Sequence, residues 1–312
     1  MNDWHKRALE LAATGMRYCD IANVIESEFN YSNMYNKVKC YVYKYKNKKK
    51  EEKHIAIQNQ EPSMHDAKWN GSKIIHFGLI GDTQLGSKYT QLTYLHDFYD
   101  LCKREGITDI YHTGDITDGL KMRPGHEYEL YAISADEILD DVVKNYPKID
   151  SITTHFITGN HDASLYKHVG YDIGKSISDK RSDLIYLGRD CATVNLTPNC
   201  TLELRHPWDG TAYAISYKIQ KMIEAMEADS KPKILAVGHY HKAEYLFYRN
   251  VHAIQTGCFQ SQTPFTRGKG ISVHMGGWII TAHVNDEGTI QRFGQEFIPF
   301  YSPIKDDYKN FK

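Results

Sequence analysis

The segment Gly238-His239-Tyr240-His241 follows directly after the apolar run Ile234–Val237. Successive side chains of a β-strand point to opposite faces, so two histidines at positions i and i+2 point to the same side. Such a pair at the end of a buried strand would be wasted in an apolar core and is typical of a metal or catalytic site. The segment therefore predicts a buried strand that ends at a functional site.

Three earlier segments have the same form, in which an apolar run is followed by Gly and then by Asp, Asn or His. A single Asp at a strand end is as often a turn or cap residue. In an α/β sheet, however, the carboxyl ends of the strands line one crevice, so we expect all four segments to meet there. The three are Gly81-Asp82-Thr83-Gln84, Gly114-Asp115-Ile116-Thr117-Asp118-Gly119 and Gly159-Asn160-His161-Asp162.

Length and composition limit the classes of protein to consider. The 312 residues can hold one large α/β domain plus a small module, and the 41% hydrophobic and 25% charged fractions are those of an ordinary globular protein. No apolar run approaches the roughly 20 residues that span a bilayer, and the first residues lack the apolar core of a secretory signal. We therefore expect no membrane partner and a cytoplasmic location, in a bacterium or a phage-infected host cell. The six scattered cysteines form no C-x-x-C pair, which disfavours a disulfide framework or a cysteine zinc site.

The first 54 residues are basic and have helical periodicity. They contain eleven Lys and Arg against seven Asp and Glu, and apolar residues recur at helical spacing in three stretches. Gly15 is expected to end the first helix and Ser32 to cap the third. Three helices with a basic last helix resemble a helix-turn-helix module, in which lysines attract phosphate. The alternative is a solvated arm whose lysines keep it soluble.

The rest of the chain predicts an α/β body. Residues 55–72 are polar and are expected to form a linker, and residues 73–312 are expected to form one domain. Apolar strands alternate with helices up to His241, and strands dominate after it, so a second sheet packed on the first is expected. The predicted strands of the first part are Ile74–Ile80, Ile110–His112, Ile152–Ile157 and Ile234–Val237, and the predicted helices are Leu92–Arg104, Ala135–Asn145 and Tyr213–Met226.

The four segments, in this order, resemble the pattern D-x-H, G-D-x-x-D, G-N-H-D, lone His and G-H-x-H of the calcineurin-like metallophosphoesterase superfamily. The resemblance covers residues 74 to about 300. It implies a four-layer αββα sandwich of two mixed β-sheets flanked by helices, beside the small all-α module. The lone His is assigned to His206 in Leu204-Arg205-His206-Pro207, with His155 and His112 as competitors.

The resemblance also implies a two-metal site and its residues. Two divalent cations would lie roughly 3.5–4 Å apart, bridged by Asp115, with a hydroxide between them that attacks phosphorus. His161 would be the general acid and Asp118 would orient its imidazole, whereas Asp162 has no assigned role. The implied ligands are Asp82, Gln84, Asp115 and His241 for metal one, and Asp115, Asn160, His206 and His239 for metal two.

Gln84 departs from the pattern because most relatives have His at this position. A neutral amide oxygen binds divalent metals more weakly than an imidazole nitrogen does, and it favours Mn²⁺ over Zn²⁺. Some branches of the superfamily carry D-x-Q and are active. We therefore expect a modified metal site, with Mn²⁺ favoured and Zn, Fe, Ni or Mg as alternatives, and loss of catalysis is the opposing interpretation.

The motifs also narrow the substrate. The residue directly after Gly114–Asp118 is Gly119 rather than Arg, and the third motif ends in Asp rather than Glu. Both differences disfavour the serine/threonine protein phosphatases. The segment Asp82-Thr83-Gln84-Leu85-Gly86 resembles the D-x-H-L-G of the nuclease branch typified by the bacterial SbcD exonuclease subunit and by phage putative DNA repair exonucleases. This implies a DNA nuclease, with a partner ATPase as a candidate. Arg123, Arg267 and Lys269 are candidate phosphate contacts, although loop cations are more often merely solvated.

Two alternatives remain open. The first is a small-molecule or cyclic-nucleotide phosphodiesterase. The second is a DNA-binding protein with a non-catalytic phosphoesterase scaffold, suggested by Gln84 and the basic module, although the retention of His161 argues against it. The sequence leaves the oligomeric state undefined.

Overall fold

A computed structural model describes residues 3–45 and 63–311. The chain divides into two compact units, Met1–Glu61 and Pro62–Lys312, and each is described by itself. Across the described ranges, the longest apolar helices are still too short or too polar to cross a bilayer.

The first unit is the expected helical module. It contains α1 (Asp3–Ala13), α2 (Tyr18–Phe29) and α3 (residues 35–45). Apolar residues of all three helices form one buried cluster, so the helical periodicity of the sequence reflects a shared core. Gly15 follows α1 with a positive φ of 84°. Ser32 does not cap α3, because that helix begins three residues later and the amide of Met34 donates to the Glu26 carboxylate, 2.6 Å away.

Of the seven lysines between residues 30 and 50, three lie in the described part of the chain, namely Lys37, Lys39 and Lys44. The other four, and residues 55–62 of the expected linker, lie outside the described residues. The boundaries at residues 54 and 72 stay predictions. Residues 63–66 of the expected linker form a β-strand, as described below.

The second unit contains two six-stranded mixed sheets. The first sheet has the order β12-β11-β2-β3-β4-β5, in which β2 to β5 are parallel and β11 and β12 are antiparallel additions. Its strands are β2 (Ile74–Ile80), β3 (Asp109–His112), β4 (Thr153–Thr158), β5 (Leu184–Arg189), β11 (Gly276–Val284) and β12 (Ile290–Pro299).

The second sheet has the order β1-β6-β7-β8-β10-β9. Strand β1 pairs in parallel with β6, and β7, β8 and β10 run parallel to one another. Its strands are β1 (Ser63–Asp66), β6 (Cys191–Thr197), β7 (Cys200–Arg205), β8 (Ile234–Val237), β9 (Ala243–Tyr248) and β10 (Val251–Thr256).

Three apolar clusters define the layers of this unit. One joins the inner faces of the two sheets, for example through Leu79 and Leu204. A second joins the outer face of the first sheet to four helices, and a third joins the second sheet to a single helix through Ile219 and Ile223. The four-layer αββα prediction is therefore confirmed. The helices are α4 (Leu92–Arg104), α5 (Ala135–Asn145), α6 (Asp162–Val169) and α7 (Ile173–Lys180) on one side and α8 (Tyr217–Ala225) on the other, with the short α9 (Pro264–Gly268) near the site.

One detail of the predicted sheet arrangement was wrong. The strands after His241 do not form a second sheet by themselves, because β9 and β10 join β8 whereas β11 and β12 extend the first sheet beside β2. The other half of the second sheet comes from β6 and β7, which the sequence analysis did not identify. In this arrangement the carboxyl ends of β7 and β8, in the second sheet, lie next to those of β2, β3 and β4, in the first.

Candidate metal centre

All seven predicted metal ligands lie just beyond the carboxyl ends of five strands. Their side chains and amides form a continuous chain of contacts from Gln84 through Asp115, His206, Asn160 and His239 to Asp82 and His241. Strand β2 leads to Asp82 and Gln84, β3 to Asp115, β4 to Asn160, β7 to His206, and β8 to His239 and His241.

Five of these seven residues have a left-handed backbone. Their φ angles are positive, which is uncommon for residues other than glycine and persists only where the surroundings enforce it. Hydrogen bonds between adjacent loops provide that restraint: the amide of Asp82 donates to the carbonyl of Gly114 at 3.0 Å, and that of Gln84 to the carbonyl of Asp115 at 3.1 Å. The five φ angles are 51° at Asp82, 54° at Gln84, 55° at Asp115, 77° at His239 and 53° at His241.

Close packing explains why glycine occupies positions 119 and 159 in the motifs. A Cβ atom at Gly159 would lie 2.3 Å from Oδ1 of Asp115, and a Cβ atom at Gly119 would lie 2.1 Å from the carbonyl oxygen of His161. Either contact would displace a predicted functional residue. The glycines therefore allow the loops after β3 and β4 to approach each other.

The predicted ligands of metal two lie close together. His206 Nε2 is 3.2 Å from Asp115 Oδ2 and 3.0 Å from Asn160 Oδ1, and His239 Nδ1 is 2.8 Å from the same Asn160 oxygen. Ligand atoms of Asp115, His206 and His239 all lie within 4.8 Å of one another, which suits a single cation. His206 Nδ1 donates to the carbonyl of Thr113 at 2.8 Å, which leaves Nε2 directed at the ligand group.

The competing histidines have other partners. His155 Nε2 lies 2.8 Å from the Asp109 carboxylate, away from the seven ligands. His112 Nε2 lies 3.0 Å from the Thr83 hydroxyl, and burial lowers the pKa of His112 to about 3. The geometry thus favours His206 as the lone histidine of the pattern.

The predicted ligands of metal one leave buried polar atoms unpaired. Within residues 3–45 and 63–311, Gln84 Oε1 and His241 Nδ1 have no hydrogen-bond partner, and Asp82 Oδ1 has only a long contact with His241. His241 Nε2 lies 3.3 Å from Asp82 Oδ1, and the Gln84 amide nitrogen donates to Asp115 Oδ2 at 3.2 Å. Unpaired buried polar atoms are costly, and a divalent cation would offset that cost. These residues therefore fit a metal ion.

His161 and Asp118 form a buried pair beside the ligands. His161 Nδ1 lies 2.8 Å from both the carboxylate Oδ1 and the carbonyl oxygen of Asp118. Burial alone would lower the pKa of His161, but the charge of Asp115 and the hydrogen bond with Asp118 raise it to about 9. Burial likewise opposes ionisation of Asp118, but hydrogen bonds from two histidines hold the pKa of its carboxyl well below its usual range.

The second of these histidines, His126, was missed by the sequence analysis. It is fully buried, and its Nε2 lies 3.3 Å from Asp118 Oδ1. Asp118, His126 and His161 form a second group whose ligand atoms lie within 4.8 Å of one another. His126 stands in a 3-10 helix after Gly125, without a strand before it, so the strand-end pattern gives no signal for it.

Asp162 has a structural position that its sequence did not reveal. Its buried carboxylate accepts hydrogen bonds from the amides of Gly159 at 3.0 Å and Thr117 at 2.9 Å, and from the Thr117 hydroxyl at 2.7 Å. Burial and the nearby charge of Asp115 raise the pKa of Asp162 to about 6. Asp162 therefore joins the loops after β3 and β4.

The candidate phosphate contacts divide into two groups. Arg123 and Lys269 line a cavity of about 360 Å³ that Asp115, His161 and both histidines of the last motif also line. Arg267 lies in α9 but is absent from the described lining of this cavity. Its predicted role at the site therefore has no geometric support.

Comparison with known proteins gives limited similarity. No family model matches the chain. The chain is 29% identical over 189 residues to the DNA polymerase II small subunit of Methanothermobacter thermautotrophicus, covering 49% of this chain and 39% of that protein. It is 28% identical over 199 residues to the DNA polymerase II small subunit of Methanocaldococcus jannaschii, covering 51% and 32% respectively. The similarity thus spans about half of this chain and less than two fifths of each relative.

Solved structures with similar folds include an archaeal phosphodiesterase, with a TM-score of 0.41 and 12% identity, covering 72% of this chain and 100% of that chain. Another is Vps29 from Entamoeba histolytica in complex with zinc, with a TM-score of 0.35 and 14% identity, covering 73% and 100% respectively.

Proposed function

We propose that this protein is a metal-dependent phosphodiesterase that cleaves phosphodiester bonds in DNA. The observation that carries the metal-dependent chemistry is the convergence of the seven predicted ligands, Asp115 among them, with buried polar atoms of Gln84 and His241 left unpaired. A preference for DNA is supported by the similarity to two DNA polymerase II small subunits and by the basic charge of residues 1–54.

In this proposal each cation has its own set of ligands around the shared Asp115. The oxygen donor of Gln84 favours Mn²⁺ at metal one. When bound, the two cations would supply positive charge at the phosphoryl oxygens and lower the pKa of a water molecule. Metal one would be held by Asp82, Gln84, Asp115 and His241, and metal two by Asp115, Asn160, His206 and His239.

His161 serves as the general acid. In the metal-free fold, and despite burial, the charge of Asp115 and the hydrogen bond with Asp118 raise the pKa of His161 to about 9. When cations offset the charge of Asp115, Asp118 would still stabilise the protonated imidazole, so that His161 can donate a proton to the leaving oxygen. Asp118 binds Nδ1 and thereby fixes the ring, so that Nε2 carries the transferable proton. His126 contacts the same carboxylate and restrains Asp118 from the other side.

The finer assignment to the SbcD-type branch, with a partner ATPase, stays a prediction. The relatives are named as small subunits, which supports association with a larger chain as another hypothesis.

A side-by-side assay tests the proposal. Mn²⁺-dependent hydrolysis would be measured on linear DNA, RNA, cyclic nucleotides and an aryl phosphodiester, with Asp115→Asn as the matched inactive control. We expect DNA to be the preferred substrate. Hydrolysis confined to cyclic nucleotides and the aryl ester would favour a small-molecule enzyme. If the protein binds DNA but hydrolyses no diester with any of the metals tested, a non-catalytic scaffold would be favoured.

A further inference from the structure

The cavity of about 360 Å³ has two walls of different character. We define the first wall by the predicted ligands Asp115, His239 and His241 and the His161–Asp118 pair. The second wall is Arg123 with the lining residues Gln260, Thr263, Phe265, Thr266, Lys269 and Ile271, and residues 209–211 and Tyr240 complete the lining. A volume of this size is at the lower end of small-molecule sites and can take about one nucleoside, but not a duplex. The second wall therefore decides what chemical group is placed beside the cleaved bond.

Phe265 is the aromatic residue of that wall. Its side chain is 41% exposed, although it belongs to a cavity rather than to a convex surface. It stands in α9, whose start is fixed by Thr263, because the Thr263 hydroxyl accepts from the Thr266 amide at 3.2 Å. The exposed ring thus stands on a capped helical turn and lines the same cavity as predicted metal ligands.

Arg123 covers one face of this ring. Its guanidinium carbon lies 4.2 Å from the centroid of Phe265, and the guanidinium also forms a mostly buried ion pair with Glu129. Because Glu129 already engages its charge, Arg123 is better placed to support the ring than to grip phosphate as the sequence suggested. A guanidinium on one face leaves the ring able to stack another flat group.

Cationic side chains continue beyond the ring. Lys269 lines both this cavity and a neighbouring one of about 430 Å³, which Lys242 also lines. Lys218 lines the second cavity too, but its charge is paired with Asp209. Two adjoining cavities with cationic side chains suit a chain of phosphates. A base that enters a cavity of this size to stack on its wall must be unpaired, because a base pair does not fit there.

We propose that Phe265, supported by Arg123, is the stacking platform for an unpaired nucleobase next to the cleaved phosphodiester, and hence that the substrate is single-stranded nucleic acid. This inference rests on the proposed function and specifies its substrate class. Stacking on an aromatic ring tolerates every base, so little sequence preference is expected.

A fluorescence titration tests this inference without relying on hydrolysis. The full chain is mixed, in Ca²⁺, with single-stranded oligonucleotides carrying 2-aminopurine at the 5′ or the 3′ end, and stacking on Phe265 quenches the probe. Phe265→Leu should abolish the quenching and weaken binding by roughly tenfold, whereas Phe265→Trp should retain both. Phe247→Leu is the matched control, because Phe247 is an exposed phenylalanine of β9 that does not line either cavity in the described structure.

The outcomes separate this inference from the proposed function. Unchanged binding and quenching in Phe265→Leu, equal quenching of a blunt duplex probe, or absence of binding by the parent protein would each overturn the stacking platform. If the Phe265-dependent quenching is present but no diester is hydrolysed, the platform stands and the proposed catalysis fails. Thermal melting of each variant shows whether a loss reflects the ring or the fold.

Discussion

His161 Nδ1 lies 2.8 Å from the carboxylate of Asp118, and this contact holds a protonated imidazole beside the predicted metal ligands. Two partners on one nitrogen, the carboxylate and the carbonyl oxygen of Asp118, fix both the position and the tautomer of the ring. In the proposed mechanism, the same pair would determine whether a proton is available to the leaving group.

Replacing His161 should affect DNA far more than activated substrates. His161→Asn removes the proton donor, and a general acid typically contributes about 10²–10⁴-fold in rate. We expect a loss in this range on DNA, whose leaving oxygen is a poor leaving group, and a small loss on bis-p-nitrophenyl phosphate. His126→Gln, which leaves the His161 contact in place, should lose less. Equal losses of His161→Asn on both substrates would contradict the general-acid role.

Asp115→Asn should abolish hydrolysis and lower the number of metal ions bound. The substitution removes the negative charge shared by both cations while it keeps the shape of the side chain. Native mass spectrometry counts the metals, and the assay on DNA measures turnover. A variant that binds two metals and turns over like the parent would show that Asp115 is not the bridge.

Gln84→His should tighten metal one and shift the preference towards Zn²⁺, because imidazole suits that ion better than an amide oxygen does. Titration calorimetry of the parent and the variant with Mn²⁺ and Zn²⁺ measures both affinities. Unchanged affinity for each metal would place Gln84 outside the ligand set.

The metal-free protein should lose stability as the pH rises from about 6.5 to 9. Asp115 and other nearby groups raise the pKa of His161 and His206 to about 9 in the fold, despite burial, against an unfolded value near 6.5. Their stabilising contribution is therefore complete below pH 6.5 and is lost as the pH passes 9. His239, with a pKa lowered to about 4, is neutral throughout this range.

Urea denaturation at pH 6.5, 7.5 and 9 in EDTA measures this loss. Mn²⁺ should reduce this loss of stability, because a metal-bound His206 is neutral at every pH in the range. The affinity for Mn²⁺ should rise with pH, because protons then compete less for the histidine. A stability that is flat or rises between pH 6.5 and 9 in EDTA would contradict the charged pairs.

Deleting residues 1–54 should separate DNA binding from chemistry. The deletion retains β1, which begins at Ser63, so the second unit keeps all of its described strands. Hydrolysis of an aryl phosphodiester should be unchanged, whereas DNA affinity should fall and its salt dependence should flatten because phosphate-contacting lysines are lost. Equal DNA affinity and an equal salt slope would exclude the module from DNA binding.

The sequence predicts the fold class and the strands before the four Gly-containing segments because those strands are largely apolar runs. It does not predict β7, the strand before His206, in which polar residues alternate with apolar ones. It misses β1 because Ser63–Asp66 is short and polar and is a strand by virtue of pairing with β6. Similarly, the separation of β9 and β10 from β11 and β12 depends on which neighbour each strand pairs with, and periodicity contains no information on that.

The candidate site was predicted to the extent that its residues follow strands. His126 and Phe265 were missed because they stand in short helical turns, and tertiary packing alone brings them to Asp118 and Arg123. The ion pair of Arg123 with Glu129 likewise depends on tertiary packing, and the phosphate contact of Arg123 stays a prediction.

The left-handed backbone at the ligand positions restricts which side chains can replace one another there. Asn, Asp and His adopt this conformation several times more often than other residues, and β-branched residues are strained in it. At position 84, with a φ of 54°, the backbone should accept His at least as readily as Gln. An exchange between Gln and His should therefore alter the metal preference of the protein at little cost to its folding stability. Thr or Val at the same position should destabilise the fold even without metal.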